Sequence, residues 1–94
     1  MKILNLYEQI GIDLNTTMTL STNNGGVLTV QLYDALLFIE EINLRQELSF
    51  LEHLALSKDK LTEQSIVSFF KHLFFDGALA KQFVEWQRKS HKVA

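Results

Sequence analysis

The chain has 94 residues, 47% hydrophobic and 21% charged, with a formal net charge of −2 and neither cysteine nor proline. That composition is globular rather than disordered, and it excludes disulfides, thiolate chemistry and cysteine-based zinc sites. No apolar run reaches the about 18 residues of a membrane span, and Asn5 and Glu8 interrupt the start before it resembles a leader. A single soluble, cytoplasmic domain over residues 1–94 is therefore expected.

Ile3, Leu6, Tyr7 and Ile10 recur at helical spacing, and Gly11 stands where a C-cap glycine would. A short helix over about residues 2–10 follows, with Ile12 to Asn15 as a connector. From Thr16 the period changes to two. Met18 and Leu20 alternate with threonines and Ser21; beyond Asn23-Asn24-Gly25-Gly26, Leu28, Val30 and Leu32 alternate with Val27, Thr29 and Gln31. This predicts a β-hairpin with strands at about 16–22 and 27–33.

Parity narrows the turn. A two-residue Asn24-Gly25 turn pairs Leu20 with Thr29 and puts the two apolar sets on opposite faces. A shift of one residue restores agreement. A three-residue loop with glycine in the left-handed position, or a bulge, is therefore expected, with Leu20 facing either Leu28 or Val30.

The remainder reads helical. Asp34 is placed as the cap of a helix starting at Ala35. Leu44, Leu48, Leu51 and Ala55 share one face with Leu37, while Phe38, Ile39 and Ile42 lie nearly opposite. Two readings fit: one central helix buried nearly all round, which is preferred, or a break near Asn43, where Asn43-Leu44-Arg45-Gln46 resembles a capping box. Ser57-Lys58-Asp59-Lys60 is a polar connector. Thr62 then caps a helix over about Glu63 to Phe75, Asp76-Gly77 marks a stop, and a last helix runs from Ala78 to about His91. The fold class is α+β, mostly helical, in the order α-β-β-α-α-α, with the hairpin packed on a small helical core.

Side chains that carry chemistry are sparse. His53, His72 and His91 have no i, i+4 partner of their own kind, so no two imidazoles share a helix face for a metal. His72 has Asp76 four residues on, but no nucleophile near it in sequence; an exposed position near a helix end is the favoured reading. Glu40 and Glu41 diverge by about 100° around a helix and do not readily converge on one bond. Asn23 to Gly26 precedes a strand with no following lysine, which makes it a turn rather than a phosphate cradle. No catalytic residue, metal, cofactor or small-molecule substrate is expected.

What remains is aromatic surface and an uneven charge. Phe69, Phe70, Phe74, Phe75, Phe83 and Trp86 fall within twenty-one positions. On a helical wheel Ile66, Val67, Phe69, Phe70, Leu73 and Phe74 make one broad face. Phe75 falls outside it, and Leu79, Phe83, Trp86 and Val93 share Phe75's side when the wheel continues past Gly77. The favoured reading is a break at Asp76-Gly77 that folds the last helix back, so that both stripes reach one core; Gly77 accepts a left-handed cap there. The alternative is a long helix whose second stripe docks on a second copy or another protein.

Residues 1–76 carry five Lys/Arg against ten Asp/Glu, whereas residues 77–94 carry Lys81, Arg88, Lys89 and Lys92 against Glu85 alone. The expected function is a non-enzymatic protein-binding module of inhibitor, immunity, chaperone or assembly-subunit type, acting by occlusion. Phe75, Leu79, Phe83 and Trp86 would be its anchors. Lys81, Arg88, Lys89 and Lys92 form a charged rim or, in the alternative reading as a nucleic-acid-associated factor, phosphate contacts beside Trp86. The acidic body counts against that alternative.

Overall fold

The computed structural model describes residues 2–57 and 61–90. Lys58, Asp59 and Lys60 of the expected connector, together with His91, Lys92 and Val93, lie outside the described residues. Among the described residues five helices and one two-stranded antiparallel sheet give the expected mostly helical α+β class, with one helix more after the hairpin than the expected order: α1 (Lys2–Ile10), β1 (Thr17–Ser21), β2 (Val27–Gln31), α2 (Leu32–Glu41), α3 (Arg45–Leu56), α4 (Glu63–Phe75) and α5 (Gly77–Ser90). Among the described residues no helix is long and apolar enough to cross a membrane.

Gly11 ends α1 as its position predicts, at φ 95°. Its N–H reaches Glu8 O at 3.0 Å and the Ile12 N–H reaches Tyr7 O at 3.2 Å, so two carbonyls of the last turn are satisfied. The buried stripe is Ile3, Leu4 and Tyr7, whereas Ile10 lies at the surface. The hairpin obeys the parity argument. Leu20 pairs with Leu28 and Met18 with Val30, and all four point into the core. Thr22 N–H bonds Gly26 O, and Gly25 adopts φ 84° within the three-residue loop Asn23-Asn24-Gly25.

The preferred single central helix is not what the chain forms. The chain breaks at Asn43, and α2 alone is buried nearly all round, through Leu32, Ala35, Leu36, Phe38 and Ile39. No Asn43 capping box forms. Asn43 takes a left-handed φ of 58°, and its own N–H and that of Leu44 satisfy Glu40 O and Ile39 O; α3 then starts at Leu44 without a side-chain cap. Asp34 likewise is not a cap. α2 begins three residues earlier, at Leu32 after Gln31, and Asp34 sits buried in its first turn, where a carboxylate complements the helix dipole. The Thr62 cap does form, closed reciprocally by Ser65.

The break before α5 is the favoured one, by a different device. Gly77 is not left-handed. Asp76 caps the new helix instead: its Oδ1 accepts from Ala78 N–H and its carbonyl from Ala80 N–H, each at 3.0 Å. The hairpin loop clamps the same point. Asn23 N–H donates to Phe75 O at 2.8 Å, and Gly77 N–H donates to Asn23 Oδ1 at 3.1 Å. A Cβ on Gly77 would stand 2.9 Å from the Asn23 and Asn24 amides, so glycine here serves close approach. Asn23→Ala and Asp76→Ala are each expected to cost about 1 kcal/mol in urea unfolding, since each removes one capping hydrogen bond.

Candidate functional site

Seven of the aromatic residues form one chain of ring contacts from the interior to the surface. Trp86 meets Phe38 at 5.4 Å and Phe83 at 5.7 Å, and Phe38 meets Phe83 edge-on at 5.1 Å. Phe83 touches Phe74 at 5.2 Å, Phe74 stacks on Phe70 at 5.9 Å, and Phe70 meets Phe69 edge-on at 5.0 Å. Phe69 then stacks on Phe50 of α3 with centroids 5.1 Å apart and planes 12° from parallel. Offset stacks and edge contacts are the arrangements that ring quadrupoles favour.

This geometry divides the expected anchor set. Phe83 is wholly buried, so it is a core residue and not a surface anchor. Leu79 and Trp86 are half-buried against the core, and the Trp86 indole N–H donates to Glu41 Oε1 at 3.0 Å. The physical reason is the turn at Asp76, which brings the second stripe back onto Phe38 and Phe74. Phe75 alone of the four stays outside, at 53% exposure, and makes no ring contact among the described residues. The wheel had placed it off the core face between Ser68 and Lys71.

Lys81, Arg88 and Lys89 are exposed on α5. Glu85 lies four residues from both Lys81 and Lys89, interrupting that row of cations. With Trp86 packed on Phe38 and Phe83, the indole does not stand out as a stacking platform beside them.

Surface aromatics instead gather between α3 and α4. An open cleft of about 450 Å³ is lined by Glu47, Phe50, Ser65, Ser68, Phe69, His72 and Leu73, and a second hollow of about 390 Å³ continues past His72 to Lys71 and Phe75. Residues 69, 72 and 75 fall at i, i+3, i+6 on α4, so they run along one edge of the helix. Phe50, at 51% exposure, forms the opposite wall. Sequence reasoning missed Phe50. Its signal was the one that marked Phe75: an aromatic about 100° off the Leu44/Leu48/Leu51/Ala55 stripe.

The histidines of α3 and α4 are each held by a backbone carbonyl. His72 Nδ1–H donates to Ser68 O at 2.9 Å rather than to Asp76, and His53 Nδ1–H donates to Ser49 O at 2.7 Å. Among the described residues no three His, Asp or Glu side chains gather as metal ligands. Glu40 diverges from Glu41 as expected, and it is half-buried. Its Oε1 accepts from the Ile3 N–H at 2.8 Å, capping α1.

No protein-family model, curated protein or solved structure matches this chain.

Proposed function

We propose that the protein is a non-enzymatic binding module whose α3–α4 cleft receives the apolar face of an amphipathic helix from another protein. The observation that carries this reading is the stacked Phe50–Phe69 pair, open to solvent at one end of the buried aromatic chain. Solvent-exposed aromatics braced from beneath are the usual composition of binding hot spots, because little side-chain entropy is left to lose on docking. A groove between two helices suits helix-in-groove recognition, with Phe50, Leu73 and Phe75 meeting successive turns of the ligand. Glu47 on the α3 wall and Lys71 by the second hollow supply opposite charges to set its direction.

Site-specific photocrosslinking tests this. A photoreactive residue at position 50 is expected to give one discrete adduct in the native cell extract, and the same residue at Thr19, on the outer face of the hairpin, none. Phe75→Ser is expected to weaken the position-50 adduct by about tenfold, the loss of one anchor, while shifting the melting temperature little. Equal adducts from positions 50 and 19, or an adduct untouched by Phe75→Ser, would overturn the assignment.

A further inference from the structure

Among the described residues the hairpin has no third strand, so β2 keeps an outer edge. Hydrogen bonds from Thr22 N–H to Gly26 O and from Leu32 N–H to Thr16 O show that even-numbered residues of the two strands face each other's backbone. By the period of two, the N–H and C=O groups of Val27, Thr29 and Gln31 point away from β1. Those three residues are exposed, Val27 to 70%. β1 differs in having a helix against it. α4 packs against it, and the adjoining loop is bonded to Phe75.

Exposed edges of this kind are normally blunted by lysine, proline, a bulge or an inward charge. β2 has none of these. Val27-Leu28-Thr29-Val30-Gln31 is uncharged and pairs regularly along its whole length. A lone two-stranded sheet is also the least stable form of antiparallel pairing.

We infer that β2 is a self-association edge, pairing antiparallel with β2 of a second copy about a two-fold axis at Thr29. That register sets Thr29 against its own copy, Val27 against the partner copy's Gln31, and Leu28 against the partner copy's Val30. Apolar inner-face residues then meet apolar ones, and no like charges oppose each other. The outward backbone groups of residues 27, 29 and 31 find partners, and two hairpins become one four-stranded sheet in the order β1-β2-β2-β1. The two-fold contact uses the same edge on both copies, so it is satisfied at two copies. The α3–α4 cleft takes no part in this contact, so the dimer stands or falls independently of the binding reading.

Sedimentation velocity across a concentration series is the test, using the full chain. The wild type is expected to pass from monomer to dimer. Thr29→Lys sets two ammonium groups face to face at the axis and is expected to weaken dimerisation by at least about tenfold. Its side chain points outward, so the circular dichroism spectrum should be unchanged. An equimolar mixture of Thr29→Lys and Thr29→Glu is expected to recover a heterodimer that neither forms alone. Three results would overturn the inference: a wild type that stays monomeric at millimolar concentration, a Thr29→Lys variant that dimerises like the wild type, or a mixture that gives no heterodimer.

Discussion

Phe83→Ala is expected to destabilise the protein by about 3–5 kcal/mol, the range for removing a fully buried phenylalanine. The ring is wholly excluded from solvent and contacts Phe38, Phe74 and Trp86. Total stability for a domain is only about 5–15 kcal/mol, so this single change consumes a large share of it. Thermal unfolding should show a midpoint lowered by about 15 °C or more, given about 4–8 °C per kcal/mol at this size. Phe75→Ala on the neighbouring helix should move it by no more than a few degrees. Near-equal midpoints for the two variants would contradict the burial that separates them.

The second large effect concerns Tyr7. Its ring is fully buried, and its hydroxyl donates to Leu51 O at 2.8 Å, tying α1 to α3. Tyr7→Ala should cost about 3–5 kcal/mol, and Tyr7→Phe about 1 kcal/mol for the hydrogen bond alone. The phenol also imposes a pH dependence. Burial disfavours the phenolate and pushes the pKa well above its ordinary value of 10.0. Below pH 10 both folded and unfolded chains keep the proton, and the stability is complete. Above it the unfolded chain releases the proton while the folded chain retains it, so stability falls as pH rises toward the folded value. Urea midpoints for the wild type should decline above about pH 10. The decline should be shallower in Tyr7→Phe, and identical slopes would remove the phenol as the cause.

Glu40 shows what a one-dimensional reading misses. The carboxylate that serves the Ile3 N–H of α1 lies 37 residues later, on α2. Nothing in the periodicity of either helix signals that pairing. The same holds for Asn23. Read locally, it is a hairpin-loop residue, and the loop is correctly inferred from parity. Its side chain also bonds Gly77 N–H, 54 residues away, where the fold of the last helix is decided. Phe50 belongs to this group too: an aromatic off its helix stripe is visible in the sequence, but its stacking on Phe69 depends on how α3 and α4 meet.

The sequence by itself determined the elements whose causes are local. Gly11 ends α1, Thr62 starts α4, the parity of the hairpin calls for a three-residue loop with a left-handed glycine or a bulge, and Asp76-Gly77 stops α4. Each depends on side-chain sterics or hydrogen bonds within a few residues, which composition and spacing record directly. Only the tertiary structure decided which aromatic surface is left over. A helical wheel gives the side a ring lies on, but not the element packed against it. Asp76 and the Asn23 clamp turn α5 back, so Phe83 and most of Trp86 close the core and Phe75 remains outside, beside Lys71 and His72. Burial belongs to the meeting of two elements, and no single stretch of chain contains it.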